Sequence, residues 1–366
     1  MNKICLIGNS GYLNNVSDGQ TEKVRLYAEK IIEEGNELFF VDLENFIKHP
    51  FRILDKIKYG IKYCNRLVLL SAERGSRVLI PFINWHNRKR KKPFIFPLIG
   101  SSVLHYTIDK LNPTKRLDFL TNDNYSHSTP NKRLVKNLKK ITTILPETEE
   151  LSNTFRKFYR INNVVTLNNF RKRTPLDNIK HQDSKILNLV YVSRVMRSKG
   201  IFDLMNCVND INNQNGSPLI KLSIYGIKDF TKADNKLFES LLSNSVMYHG
   251  QIDNKFVEDV IYNSDLFVFP TKCMGEGTPG VIAESLLAGT PILTSTFPQV
   301  KVLLRNGFDS IFFEINNSDD LKKKILWAAN HKKELLEMRK NALQSGEKFS
   351  YEYNKEIFLK YICGVE

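Results

Sequence analysis

Several things are scarce in this sequence, and each scarcity excludes a class. Among 366 residues there are five cysteines, Cys5, Cys64, Cys207, Cys273 and Cys363, with no Cys-x-x-Cys spacing. Such scatter argues against a disulfide framework or a zinc ribbon and suits a reducing compartment. No apolar run approaches the ~20 residues that span a bilayer. The opening Met-Asn-Lys-Ile-Cys-Leu-Ile-Gly is broken by Gly8 too early for a signal peptide, so a cytoplasmic location is expected. The loop after the first strand, Gly8-Asn9-Ser10-Gly11 to Ser17-Asp18-Gly19-Gln20, is not Gly-x-Gly-x-x-Gly, so the dinucleotide fingerprint is absent there. There is no internal repeat and no low-complexity segment. Acidic residues are outnumbered, 39 Asp and Glu against 54 Lys and Arg, for a net charge of +15.

The excess charge is uneven. Residues 1–170 hold 28 Lys and Arg against 16 Asp and Glu, whereas residues 171–366 hold 26 against 23. With 42% hydrophobic and 25% charged residues, the length suits two globular domains whose partners differ in charge. The densest run is Trp85-His86-Asn87-Arg88-Lys89-Arg90-Lys91-Lys92, at the expected end of a helix over 74–90. It reads as a solvated helix end whose cations complement the dipole. It reads equally as an anchor on an anionic membrane, with Trp85 and Phe82 in the interface. A nucleic-acid patch would need a recognition motif, and none accompanies it, so no nucleic-acid partner is expected.

Short apolar runs alternate with helical periodicity, which predicts an α/β fold with parallel sheets. Strands are expected over 3–8, 37–42, 67–70, 94–99, 140–144 and 163–167, with a first helix over 21–34. A charged run over 171–185, containing Pro175, reads as a linker. Strands over 186–192, 219–225, 246–249, 264–270 and 292–294 follow, with helices over 201–211 and 253–262, one capped near Ser318, and a final aromatic helix over 350–362. In such a sheet the loops leaving the strand C-terminal ends face the ligand crevice. Those loops bring forward Gly19 after the first strand, His105 after the fourth, Arg194 and Lys199 in Ser193–Gly200, and then Gly226 and Gly250. Two cations in one strand-to-helix loop suit a diphosphate. A single histidine in a loop is more often structural, and His86 and His127 are weaker candidates than His105.

The most informative stretch runs from Met274 to Pro291, MGEGTPGVIAESLLAGTP. A Gly-rich turn leads to Thr278 as a helix N-cap and Pro279 at the first helical position. Gly289 ends the helix and Pro291 opens the next strand. Val281, Ile282, Ala283, Leu286, Leu287 and Ala288 make this helix apolar nearly all round, so Glu284 is costly there unless it is paired. Free backbone N–H groups at Thr278–Gly280 suit an anion. Two carboxylates, Glu276 and Glu284, beside an anion site fit a phosphate ester bearing hydroxyl groups, as in a sugar nucleotide. The plainer alternative has Glu284 capping the helix or pairing with a surface lysine.

The stretch resembles the E-x7-E motif of the retaining glycosyltransferases of family 4, through Glu276, Gly277, Pro279, Glu284, Gly289 and Pro291. The resemblance implies the GT-B fold, two Rossmann-like parallel-sheet domains facing a central cleft. It implies an acceptor-side domain over 1–170, a nucleotide-sugar domain over 171–349, and a C-terminal helix over 350–366 that crosses back to the first. Glu276 would face the donor sugar and Glu284 hold the ribose. Ser193–Gly200 resembles the family's G-R-x-x-x-x-K-G loop with Ser193 in place of its glycine, which implies that Arg194 and Lys199 grip the donor diphosphate with the backbone of Gly277, Thr278, Pro279 and Gly280. Gly226 and Gly250 would line base and ribose. His105 would lie beside the sugar, and Gly19 stands where many members have a Gly-Gly pair.

The expected activity is therefore metal-independent transfer of a hexosyl unit, with retention, from a nucleotide sugar such as a UDP-sugar. The acceptor would be a glycan or a polyprenyl-linked glycan in surface or extracellular polysaccharide synthesis. No cofactor is expected. Asp-x-Asp, the metal–diphosphate clamp of the other main glycosyltransferase fold, occurs nowhere in the chain. A sugar-nucleotide epimerase of the same fold would act without an acceptor. A basic nucleic-acid-binding protein would ignore nucleotide sugars. A catalytically dead partner subunit would not need Glu276, Glu284, Arg194 and Lys199 together.

Overall fold

The structure, a computed structural model, describes residues 1–13, 19–99, 132–173, 185–273, 278–297 and 300–365. The chain forms two compact units: Met1–Phe170 with Gly277–Pro279 and Tyr351–Glu366, and Arg171–Glu276 with Gly280–Ser350.

The first unit runs β1 (Lys3–Gly8), α1 (Gly19–Glu33), β2 (Glu37–Asp42), α2 (Pro50–Tyr63), β3 (Arg66–Leu70), α3 (Glu73–Asn87), β4 (Phe94–Pro97), α4 (Lys132–Leu138), β5 (Thr143–Leu145) and α5 (Glu149–Lys157). Its five parallel strands lie in the order β2-β1-β3-β4-β5. Ile4–Ile7 and Leu67–Leu70 are wholly buried, the near-continuous apolar runs of strands covered on both faces. Helix α2 is absent from the expectations above, although Pro50 sits at its start and Ile53, Ile57 and Ile61 form its buried stripe.

Three expectations shift in this unit. Strand β5 lies three residues later than 140–144 at its start. The segment 163–167 forms no strand and contributes an isolated parallel bridge, Ile144 to Val164. Helix α5 is capped by Thr148, which accepts from the Leu151 N–H. Helix α3 ends at Asn87, so the cations Arg88–Lys92 lie past its end. The Asn87 side chain holds that turn, donating to the Lys92 carbonyl at 2.8 Å and accepting from the Lys92 N–H at 3.0 Å.

The unit is closed by a segment distant in sequence. A helix over Tyr351–Ile357 continues as a π-helix over Phe358–Cys363. Tyr351, Phe358, Ile362 and Cys363 share one core layer with Ile4, Leu6, Tyr27 and Phe170. Tyr27 stacks on Phe170 at 5.4 Å and meets Phe358 edge-on at 5.3 Å.

The second unit runs β6 (Leu187–Val192), α6 (Ile201–Asn215), β7 (Ile220–Tyr225), α7 (Lys232–Ser240), β8 (Val246–Tyr248), α8 (Val257–Tyr262), β9 (Leu266–Phe269), α9 (Gly280–Leu287), β10 (Ile292–Ser295), α10 (Val300–Leu303), β11 (Ser310–Phe313), α11 (Ser318–Asn330) and α12 (Lys332–Gly346). Six parallel strands lie in the order β11-β10-β9-β6-β7-β8. Apolar cores cover both faces, one around α6 and α11, the other around α9 and α10. The cap of α11 is Asn317, whose side chain accepts from the Asp320 N–H, and not Ser318. Helix α9 begins at Gly280, one residue later than its expected start at Pro279.

Candidate functional site

In the second unit the sequence order of strands reverses at β6, which has β7 on one side and β9 on the other. The C-terminal ends of β6 and β9 therefore form a topological switch point, the place where open parallel sheets bind ligands. Two loops leave it, Ser193–Gly200 after β6 and the segment from Pro270 towards α9 after β9.

These loops are laced together. The Lys272 N–H donates to the Ser198 carbonyl at 2.8 Å, and the Cys273 thiol lies 3.6 Å from the same oxygen. Arg197–Lys199 form a 3-10 turn that ends at Gly200, in the left-handed region at φ 73°. The Lys199 ammonium stands 5.4 Å from the centroid of the Phe269 ring at the end of β9. Both predicted diphosphate cations are thus on one rim, Lys199 half-buried and Arg194 exposed. The loop's other cation is committed elsewhere. Arg197 binds Asp234 through Nε at 3.1 Å and Nη2 at 2.5 Å, and holds that carboxyl below its ordinary pKa. Lys272 pairs with Asp203 at 2.6 Å. Arg194 has no ion pair among the described residues, so its charge is available to an anion.

Gly226 and Gly250 lie at the ends of β7 and β8, on the same edge. The Gly226 N–H donates to the Gly250 carbonyl at 2.8 Å, and the Tyr248 hydroxyl donates to the Gly226 carbonyl at 2.8 Å. Beside them Tyr225 and His249 stack at 4.7 Å with 17° between their planes. Burial pushes the Tyr225 hydroxyl above its ordinary pKa. This aromatic pair was not among the sequence candidates, though His249 precedes one of them directly.

Helix α9 supplies the third part. Its side chains Ile282, Ala283, Leu286 and Leu287 are buried, as the sequence required. Glu284 escapes the penalty of an unpaired carboxylate because Arg171 Nε donates to its Oε1 at 3.0 Å. Its partner is therefore a buried arginine, not the surface lysine of the plainer alternative. The Thr278 carbonyl, two residues before the helix, accepts from Asn169 Nδ2 at 3.0 Å; Pro279 follows it. Glu276, Gly277 and His105 lie outside the described residues. Gly19 is the exposed first residue of α1 and so lies at a helix start, not within the preceding loop.

Among the described residues no group of three or more His, Cys, Asp or Glu side chains is arranged to hold a metal ion. A cavity of about 600 Å³ lies in the second unit against β11, α11 and α12, lined by Ile311, Trp327 and Met338 among others. None of the candidates above borders it, so the reading rests on the switch point and not on cavity size.

Residues 173–345 match the family model of glycosyl transferases group 1. A Bacillus subtilis protein named as a teichuronic acid biosynthesis glycosyltransferase is 31% identical over 104 residues, 28% of this chain and 23% of that protein. An uncharacterized glycosyltransferase of Methanocaldococcus jannaschii is 25% identical over 176 residues, 48% of this chain and 46% of that one. The chain thus spans about a quarter and about half of the lengths of these relatives. Among solved structures, Anabaena HepE in complex with UDP and glucose superposes with a TM-score of 0.68 at 13% identity, covering 100% of both chains. The likeness to solved structures shows that the chain has the GT-B fold.

Proposed function

We propose that this chain is a metal-independent retaining glycosyltransferase of family 4 that moves a hexosyl unit from a UDP-sugar to a glycan or polyprenyl-linked acceptor in polysaccharide synthesis. The observation that carries this reading is the switch point inside the residues that match the group 1 model, where the loop bearing Arg194 and Lys199 is tied to the segment leading to α9. The UDP reading is supported by the UDP and glucose in the HepE structure, and the polymer reading by the name of the Bacillus subtilis relative.

In this scheme residues 171–349 hold the donor and residues 1–170 the acceptor. As the sugar–oxygen bond breaks, negative charge grows on the diphosphate. Arg194, Lys199 and the backbone around Gly277, Thr278, Pro279 and Gly280 stabilise it, which removes the need for a metal. Glu284 accepts hydrogen bonds from the ribose hydroxyls. Glu276 orients the sugar, with His105 beside it. The departing phosphate takes the acceptor proton.

A place on the cytoplasmic face of an anionic membrane completes the proposal. No helix among the described residues is long and apolar enough to cross a bilayer. Trp85 is 63% exposed with the Arg88 guanidinium 3.7 Å over its ring. Helix α2 adds exposed Phe51, Tyr59 and Tyr63, and Lys58, Lys62, His86 and Arg90 line a recess beside it. Phe82 is replaced in this role by the α2 tyrosines, because it packs against the first unit's core.

The test is a panel of UDP-, GDP-, ADP- and dTDP-sugars incubated with the protein, with and without glycan acceptors, scoring released nucleotide. Turnover of none of them would sink the reading. Epimerised nucleotide sugar formed without acceptor would replace it by the epimerase. Glu284→Ala should weaken nucleotide binding, each ribose hydrogen bond being worth ~1–3 kcal/mol, whereas Glu276→Ala should spare binding and lower turnover.

A further inference from the structure

Arg171 is the first residue of the second unit. Its backbone is fixed, since its N–H donates to the Phe349 carbonyl at 2.8 Å and it pairs with Ser350 in a parallel bridge. Its side chain is 8% exposed and that of Glu284 is 27% exposed. The guanidinium occupies the space beside Gly280, where a Cβ would come within 1.9 Å of Nη2 and 2.8 Å of Cζ. Glycine at the start of α9 is thus what admits an arginine to a carboxylate one turn further along the same helix. Oε1 of that carboxylate is engaged by Arg171, and Oε2 has no hydrogen bond among the described residues.

We propose that Arg171 is a positioning residue for the nucleotide ribose, holding Glu284 in one rotamer with Oε2 presented to the ribose hydroxyls. The inference rests on the reading of Glu284 as the ribose acceptor. An untethered glutamate loses its rotamer freedom when it binds a ligand, whereas one already held by Arg171 has lost it beforehand. Arg171 then raises affinity for a ligand it does not touch, and only for one that carries ribose hydroxyls.

The experiment compares UDP, GDP or ADP, whichever binds tightest, with its 2′,3′-dideoxy form by calorimetry. The unaltered protein should prefer the ribose form by about tenfold or more, the scale of a hydrogen bond to a charged group. Arg171→Met should erase that preference and leave affinity for the dideoxy form unchanged. Gly280→Ala, which keeps the arginine but drives a Cβ into its guanidinium, should also reduce the preference. Arg171→Lys should restore part of it. Arg171→Met combined with Glu284→Ala should be no worse than Glu284→Ala alone.

Equal losses for both nucleotides in Arg171→Met would overturn the inference, because they mean a direct phosphate contact or a merely structural role. So would a full preference retained in Gly280→Ala, an arm that stays informative if Arg171→Met fails to fold. A preference that survives Glu284→Ala would overturn the ribose assignment itself. Absence of binding by all three nucleotides would overturn the donor-site reading. In both of those cases the inference falls with the reading beneath it.

Discussion

Gly200 lies against Pro270 so closely that a Cβ on Gly200 would come within 1.9 Å of the Pro270 carbonyl oxygen. The two residues belong to the two loops of the switch point, and Gly200 has φ 73°. Any side chain there meets both a left-handed backbone and a fixed carbonyl. Gly216, at φ 69°, faces open space and meets the first obstacle alone. Gly216→Ala should cost about 1 kcal/mol, and Gly200→Ala more than about 2 kcal/mol, as the clash adds to the backbone penalty. Urea titrations of the two variants check this, and equal losses would show that the loops are free to separate.

Arg194→Ala and Lys199→Ala should each lower turnover by roughly 10–1,000-fold, the scale of losing a charge partner in the transition state. The melting temperature of Arg194→Ala should stay within experimental scatter, because that side chain is exposed and without an ion pair among the described residues. Activity should also survive EDTA. If a chelator abolishes it and manganese restores it, the charge stabilisation assigned to these two residues is wrong.

Four of the five thiols are buried, and Cys273, in the second switch-point loop, is partly accessible. Burial pushes Cys207 and Cys363 up to about 12, so they remain protonated and unreactive at neutral pH. Ellman's reagent should titrate one thiol in the folded protein and all five in denaturant. A bound nucleoside diphosphate should slow the modification of Cys273. Unchanged kinetics with saturating ligand would place that ligand away from the loop.

Replacing Arg88, Lys89, Arg90, Lys91 and Lys92 by Gln should abolish co-sedimentation with anionic liposomes at low salt, at ~1 kcal/mol for each cation near the surface. Hydrolysis of the nucleotide sugar by water should be nearly unchanged, since the donor residues belong to the other unit. Binding that persists in the variant, or is never seen in the parent, would leave these cations as a solvated helix end and favour a soluble acceptor.

The strands were the most legible part of the sequence, because runs such as Ile4–Ile7 and Phe267–Phe269 are buried on both faces and are apolar without interruption. Helices were less so. The stripe Ile53, Ile57, Ile61 of α2 and the set Leu335, Met338, Ala342 of α12 lie among charged residues that dilute the pattern. The segment 163–167 has strand-like composition, yet it only bridges to Ile144. In the site, Arg194, Lys199, Gly226 and Gly250 were legible because each follows a strand in a parallel sheet, where chain direction alone decides which edge a loop occupies. Arg171 was not. It and Glu284 are 113 residues apart, and no local pattern announces a pair made by tertiary folding.

The aromatic layer around Tyr27 and Phe170 has a consequence for the order in which the protein takes shape during synthesis. Tyr351, Phe358 and Ile362, which fill that layer, follow the whole of the second unit in sequence. A ribosome therefore finishes residues 171–350 before the first unit can close. The earlier-made unit thus waits until the end of synthesis with Tyr27 and Phe170 uncovered and sticky. A chain truncated after residue 350 and released should still expose the apolar surface around Tyr27 and Phe170 in its first unit.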